Sequence, residues 1–223
     1  MMNIIENFLS EFELQQVSSI LSTVDFQDGK ISAGLTARSI KNNAEAPVNT
    51  PQMTELNEIV MGKLVREPEY RAICWPKRIA APIYARYEPG MEYGEHVDDP
   101  VMGGSSMYRS DISLTIFLSA ADSYEGGELI ISHDFGKQKI KLDAGSVVFY
   151  PSSSLHSVAP VTSGTRDVAV SWIQSTIRDA DKRSLLYELN QAREILIKEQ
   201  PGSPACTRVC NSFNNLVRQW VEI

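Results

Sequence analysis

The chain predicts an α+β fold that is mainly β: a double-stranded β-helix (jelly roll) with N-terminal helices packed on it and a C-terminal helical hairpin. Two observations carry that expectation. From about Trp75 to Gln174, short runs rich in Val, Ile, Tyr and Phe alternate with breaks of Gly, Pro, Asp and Ser. Many short strands joined by tight turns leave this texture in a sequence. On either side of the block, apolar residues recur at near-helical spacing instead. Residues 1–177 read as one domain of N-terminal helices and barrel, and residues 178–223 as the appended hairpin.

Phe8, Leu9, Phe12, Leu14, Val17, Ile20, Leu21 and Val24 mark a first helix. A second opens at Thr50-Pro51, where threonine can cap free N–H groups and proline fits the first helical position. Leu56, Ile59, Val60, Met61, Leu64 and Val65 would give it a buried stripe. The polar, glycine-containing stretch 25–49 reads as loop or weak strand. Candidate strands follow at 79–87, 95–97, 111–119, 127–132, 138–142, 146–150, 157–160 and 166–174. Breakers separate them, among them Glu88-Pro89-Gly90, Glu125-Gly126-Gly127, Asp143-Ala144-Gly145 and Thr162-Ser163-Gly164. After Arg178, Leu185, Leu186, Leu189, Ala192 and Leu196 share one helical face. Pro201-Gly202-Ser203-Pro204 breaks the chain, and Val209, Phe213, Leu216, Val217 and Trp220 mark the last helix. Such a hairpin must bury its stripe on the barrel or on a second copy of the chain, which makes it the expected surface for a homo-oligomer.

An apolar share of 43% supports a core of ordinary size. A net charge of −7 and a pI near 5.1 argue against a phosphate-neutralising surface, so no nucleic-acid partner is expected. No apolar run reaches the roughly 20 residues that span a bilayer. The opening Met1-Met2-Asn3-Ile4-Ile5-Glu6 lacks a basic segment before an apolar stretch, so the expected compartment is the cytoplasm. Cys74, Cys206 and Cys210 are too few and too scattered for a disulfide framework. Cys206 and Cys210, without further Cys or His nearby, make a poor zinc site.

The chemistry-bearing residues are few. His96-Val97-Asp98 places an imidazole and a carboxylate at i and i+2, on one side of an extended segment. His156 follows after enough chain for roughly four or five strands of average length with their turns. That is the separation a jelly roll needs to return beside an early strand. Two histidines and one carboxylate compose the facial triad that holds Fe(II) and leaves positions open for chemistry. Arg166 lies ten residues beyond His156. The strand 166–174 is expected to pair antiparallel with the strand that His156 opens. Arg166, Val168, Val170 and Trp172 would then share its inward face. A guanidinium there offers a planar fork to a carboxylate, such as the far one of 2-oxoglutarate. His133, in a hairpin tip before Gly136, reads as surface.

Four stretches carry a more specific likeness: Tyr93-Gly94-Glu95-His96-Val97-Asp98-Asp99-Pro100, Gly126-Gly127-Glu128-Leu129, Tyr150-Pro151-Ser152-Ser153-Ser154-Leu155-His156 and Trp172-Ile173-Gln174-Ser175. Together they resemble the bacterial PKHD-type hydroxylases, in the prolyl-4-hydroxylase-like branch of the Fe(II)/2-oxoglutarate dioxygenases. The resemblance runs from about residue 79 into the C-terminal helices. It implies that His96, Asp98 and His156 bind iron and that Arg166 binds 2-oxoglutarate. It adds Tyr87 as a residue near that cosubstrate and Trp172 as a pocket wall. It further implies hydroxylation with O2, release of succinate and CO2, and ascorbate as reductant. The family's best understood relatives act on prolyl residues in proteins, but fold and iron chemistry do not fix the primary substrate; a peptidyl, prolyl-type side chain is the first expectation. A small molecule, either an amino acid or an iron-uptake ligand, is the alternative, and a non-catalytic cupin-like metal sensor is a third reading. The Gly- and Ser-containing loop 100–109, directly after Asp98, reads as a lid over the site.

Overall fold

Alternation along the central strands divides the molecule into two interiors. Every residue of Ile112–Phe117 is buried, yet successive side chains point opposite ways. Ile112, Leu114 and Ile116 join Val147, Phe149, Ala169 and Ile173 in a cluster under the N-terminal helices. Phe117 joins Val148, Tyr150 and Val168 on the other side. The structure, a computed structural model, describes residues 2–32, 34 and 37–223.

The larger sheet is antiparallel, in the order Asn3–Ile5, Val147–Pro151, Ile112–Phe117, Arg166–Ser175, Ile83–Tyr87, Ala44–Glu45, Gln27–Asp28. The smaller runs Gly136–Ile140, Leu129–His133, His156–Val158, Glu92–His96, Lys41–Asn42. Side chains of both meet in one cluster, with Tyr87, Phe117 and Val168 facing Leu129, Ile131 and Val158. The expected jelly roll is therefore present as two facing sheets. Its outer wall is covered by helices Glu11–Leu21 (α1), Pro51–Arg66 (α2) and Pro68–Cys74 (α3).

Local chemistry sets the helix ends. Ser10 Oγ accepts from the Glu13 amide at 3.3 Å while Glu13 Oε2 accepts from the Ser10 amide at 2.8 Å, a reciprocal cap that starts α1 at Glu11. Phe8 and Leu9, read from sequence as helical, are buried just before it. Thr50 caps α2 through the Met53 amide, with Pro51 in the first position as expected. The buried stripe of α2 is narrower than expected: Met53, Leu56, Val60 and Leu64 are buried, but Val65 is exposed. The sequence reading did not anticipate α3. Pro68 opens it, and Trp75 ends it with a left-handed backbone.

Three expectations about strands are corrected. The run 79–87 is two strands, Pro76–Ile79 and Ile83–Tyr87, both on Arg166–Ser175. Pro82 lies between them and has no N–H to give a ladder. The strand of Arg166 does not pair with that of His156. It pairs with Ile112–Phe117 and Ile83–Tyr87 in the larger sheet, so Arg166 and His156 come from opposite sheets. Lastly, two stretches read as breakers, around Gly126 and around Gly164, pair with each other as Tyr124–Gly126 and Val161–Gly164. This extra ribbon carries the chain from one sheet to the other, which a direct hairpin would not do.

The C-terminal helices Ala180–Glu199 (α4) and Pro204–Trp220 (α5) bury Leu186 and Phe213 with Ile177, against Trp75, Leu189 and Trp220. The Tyr187 hydroxyl donates to Glu69 Oε1 of α3 at 2.9 Å. The hairpin thus docks beside α3. Leu185 and Ala192, expected in its stripe, are exposed, and the buried positions include Arg183 and Asn190. Arg183 Nη1 donates to the carbonyls of Ile177 and Arg178, both at 2.8 Å, where the chain enters α4. No helix among the described residues is long and apolar enough to cross a membrane.

Gly126 has φ +71°, and a Cβ there would stand 2.0 Å from the Pro160 carbonyl oxygen. Gly90 has φ +87° with open space around it. Gly90→Ala should cost about 1–2 kcal/mol from the left-handed backbone alone. Gly126→Ala should cost clearly more, read as a lower urea midpoint. Equal losses would mean the Tyr124–Gly126 ribbon shifts freely.

Candidate active site

Register brings the two distant histidines together. His96, the last residue of Glu92–His96, is the Cα partner of His156, the first of His156–Val158. Their rings lie 4.3 Å apart between centroids. Asp98 follows two residues after His96 and turns to the same side. Its Oδ1 is 3.9 Å from the Nε2 of each histidine, and the three candidate ligand atoms all lie within 4.8 Å of one another.

The hydrogen bonds around these groups fix what they present. His96 Nδ1 lies 2.8 Å from the Gly94 carbonyl oxygen, and His156 Nδ1 lies 2.9 Å from that of Ser154. A carbonyl only accepts, so each Nδ1 carries the proton and each Nε2 turns a lone pair inward. Ser113 Oγ donates to Asp98 Oδ2 at 2.5 Å and shares a 2.8 Å contact with Ser152 Oγ. That leaves Asp98 Oδ1 as a third inward acceptor. Burial, and then the neighbouring His156, lower the pKa of His96 from its ordinary 6.5. Both influences keep its ring neutral. At 3.9 Å the carboxylate and imidazoles do not satisfy one another. Three acceptors converging on one point suit a cation, and the mixed nitrogen and oxygen set suits Fe(II).

The surroundings hold the triad rigidly. The Tyr93 ring stacks on His96 at 3.7 Å, and Tyr150 meets His156 edge-on at 5.1 Å. The cavity in front has a volume of about 360 Å³. Arg166 enters it from the opposite sheet and is 1% exposed. Its guanidinium carbon is 5.0 Å from the centre of the Tyr87 ring and 5.7 Å from that of Phe117. Arg166 Nε and Nη1 are buried without a hydrogen-bond partner among the described residues. An uncompensated buried cation is expensive, typically several kcal/mol, unless an anion joins it. One face of a dicarboxylate would supply that anion. A Cβ on Gly127 would stand 2.9 Å from Arg166 Cδ, so the glycine makes room for the arginine stem.

The structure places each residue singled out from sequence. His96, Asp98, His156, Arg166, Tyr87 and Trp172 all line this cavity. Tyr87 is buried, and Trp172 is half-buried. His133 is exposed at a hairpin tip. The arm 100–109 forms a short pair, Val101–Met102 with Tyr108–Arg109. It is pinned by Arg78, which lies over the Tyr108 ring and donates to Ser106 Oγ at 2.8 Å. Sequence reasoning missed Ser113, although a signal existed: Ser113 and Thr115 interrupt an otherwise apolar strand at every second position. It also missed Lys41, Asn43 and Glu45, which line the cavity from the N-terminal segment.

Ser113→Ala should free Asp98 to rotate and weaken Co(II) binding 10- to 100-fold, on the order seen for such supporting groups. Titration calorimetry on the metal-free protein measures it, and unchanged affinity would show Asp98 held by packing alone. The lowered His96 pKa has a further consequence. The unfolded chain takes up its proton near 6.5 and the folded chain only at lower pH. The metal-free protein should therefore lose stability as pH falls below 6.5, seen as a falling thermal midpoint. A midpoint that holds or rises across that window counts against a buried neutral His96.

Residues 82–174 match the family model of the 2OG-Fe(II) oxygenase superfamily, and residues 180–222 match that of the PKHD-type hydroxylase C-terminal domain. The chain is 42% identical over 220 residues to a PKHD-type hydroxylase of Thioalkalivibrio sulfidiphilus, covering 98% of each chain. Among solved structures it resembles a prolyl hydroxylase from Trichoplax adhaerens in complex with a hypoxia inducible factor peptide fragment. The TM-score is 0.56 at 18% identity, over 82% of this chain and 86% of that one. It also resembles HygX from Streptomyces hygroscopicus with nickel, 2-oxoglutarate and hygromycin B bound. That TM-score is 0.55 at 12% identity, over 78% of this chain and 82% of that one.

Proposed function

Because the chain belongs to the PKHD-type hydroxylases, within the 2OG-Fe(II) oxygenase superfamily, we propose that His96, Asp98 and His156 hold Fe(II), that Arg166 receives the far carboxylate of 2-oxoglutarate, and that the substrate is a peptidyl side chain of prolyl type. One observation carries the cosubstrate assignment: a fully buried guanidinium with two unpartnered nitrogens opens into the cavity that holds three converging lone pairs. A simple metal-binding sensor has no use for that cation, which disfavours the non-catalytic reading.

The bound metal and 2-oxoglutarate supply the oxidising power that converts O2 and a C–H bond to a hydroxyl group, with succinate and CO2 as coproducts. The chain supplies position and electrostatics. His96 and His156 each tie Nδ1 to a backbone carbonyl, which leaves Nε2 as the nitrogen that would meet the metal. Asp98 offsets part of the metal charge, and Ser113 orients it. Burial raises the pKa of the Tyr87 phenol, which stays protonated beside Arg166 as a further donor toward a carboxylate. Trp172 and Val170 wall the remaining space.

The peptidyl reading draws on the mouth of the cavity. Val97 and Val101 line it and are 51% and 56% exposed, an apolar edge suited to a chain lying across it. The Trichoplax neighbour is in complex with a peptide fragment. HygX, with hygromycin B bound, shares the fold almost equally, so small-molecule hydroxylation is the second reading. Ascorbate as reductant and the cytoplasm as compartment belong to the same proposal.

The direct test is succinate release from 2-oxoglutarate with Fe(II) and ascorbate. His96→Ala should lower it at least 100-fold, and equal rates in variant and wild type would remove the assignment. Arg166→Ala should raise KM for 2-oxoglutarate 10-fold or more while leaving Co(II) binding intact. An unchanged KM would take the carboxylate-binding role away from Arg166.

A further inference from the structure

The N-terminal segment contributes charged groups to the cavity that neither the metal nor the 2-oxoglutarate assignment uses. Lys41 pairs with Tyr93 in the smaller sheet, and Glu45 pairs with Ala85 in the larger. Residues 41–45 therefore cross from one sheet to the other, and Lys41, Asn43 and Glu45 line the cavity at every second position. Lys41 Nζ donates to Glu45 Oε1 at 2.5 Å and to Ser32 Oγ at 2.8 Å. The two charged side chains are only 8% and 12% exposed. Lys41 Nζ also lies 5.5 Å from the centre of the Tyr93 ring, which stacks on His96. The ion pair is thus one aromatic layer from a candidate metal ligand.

A staple for the fold is a poor explanation of this pair. Both partners belong to one five-residue segment that backbone ladders already hold on both sheets, so their contact adds little as a staple. Removing two charges from water costs more than such a pair commonly returns, and apolar residues would hold the same crossing better. What the pair does offer is unspent valence. Lys41 has three N–H donors, of which two are used among the described residues, and Glu45 takes the Lys41 bond through Oε1 alone. A donor and an acceptor stand side by side at the cavity wall.

We propose that Lys41 and Glu45 form a subsite for a backbone amide of the substrate, with Lys41 donating to its carbonyl and Glu45 accepting from a neighbouring N–H. This deepens the peptidyl reading above and rests on it. Charge balance favours an amide over an ion. The pair is neutral as a unit, and Asp98 and Arg166 together balance a divalent metal and a dianionic cosubstrate. A charged group entering this space would find no counter-charge, whereas a neutral dipole meets a matched donor and acceptor. The ligand class is therefore an end-blocked or internal peptide segment, not a free amino acid with its terminal charges.

The test uses the full chain loaded with Fe(II) and 2-oxoglutarate, and a panel of N-acetylated, C-amidated pentapeptides with each amino acid in turn at the centre, proline included. Free amino acids form the comparison arm. Peptide-stimulated succinate release and a mass gain of one oxygen are the readouts. Lys41→Met leaves Glu45 buried alone and can fail to fold, so Lys41→Met/Glu45→Gln, nearly isosteric and uncharged, is the decisive variant. It should raise KM for the best blocked peptide 10-fold or more while KM for 2-oxoglutarate stays within twofold and the Co(II) absorption spectrum is that of wild type. If wild type turns over blocked peptides and the double variant has the same peptide KM, the subsite is wrong and the peptidyl reading stands. If wild type responds to free amino acids only, or to no member of the panel, both fall.

Discussion

Three lone pairs that face one another across less than 5 Å, in a pocket closed to most of the solvent, repel and cannot be quenched by each other. That constraint organises the rest of the molecule. Each Nδ1 proton is anchored to a carbonyl two residues back, that of Gly94 on the same strand for His96 and that of Ser154 in the preceding bend for His156, so neither ring can turn its protonated nitrogen inward. Asp98 is restrained by a serine from the opposite sheet. The backbone register then keeps His96 and His156 opposite each other, because a slip of one residue would send one ring to the far face of the sheet. A cation is the partner that would satisfy such a site. The fold therefore has to supply the rigidity that the site itself does not.

That rigidity comes from using both faces of the same strands for different work. Ile112, Leu114 and Ile116 face α1, α2 and α3 in a continuous apolar cluster. From the same six residues, Ser113 and Thr115 line the cavity and Phe117 joins the second cluster beside it. Arg166–Ser175 repeats the pattern, with Ala169 and Ile173 toward the helices and Arg166, Val168 and Trp172 toward the cavity. Apolar burial on one face, worth roughly 25 cal/mol per Å², offsets the cost of polar groups held on the other. A helix has no comparable way to split adjacent residues between two interiors.

This division also explains what the sequence made legible. The jelly-roll texture was readable because alternation and breakers are local. The His-x-Asp pair and its distant histidine were readable because few residue types do this chemistry and the chain holds only three histidines. The capping of α2 was readable from Thr50-Pro51. Long-range pairing was not. The strand of Arg166 follows that of His156 so closely that a hairpin was the natural expectation, yet the Val161–Gly164 ribbon diverts the chain into the other sheet. The diversion suits the chemistry better than the hairpin would, because it sets the guanidinium across the cavity from the histidines and not beside them. Lys41 and Glu45 were invisible for a related reason. Their segment is polar and short, and only tertiary placement turns it inward.

Fold likeness does not choose the substrate, because a neighbour in complex with a peptide fragment and one with hygromycin B bound resemble this chain at nearly equal TM-scores, 0.56 and 0.55. The difference has to lie in groups that the shared barrel does not dictate. The cavity wall contributed by residues 41–45 is such a group. It is built from Lys41–Asn42, at the edge of the smaller sheet, and Ala44–Glu45, one strand in from the edge of the larger. A segment there can change its side chains without disturbing the register that aligns His96 with His156. Under the proposed assignments, recognition at the sheet margins beside a metal centre on other strands would let one scaffold keep its oxidising centre while its specificity is remade. The buried Lys41–Glu45 pair, costly in itself and set on a segment that the backbone already ties to both sheets, is the feature of this chain that such an arrangement would account for.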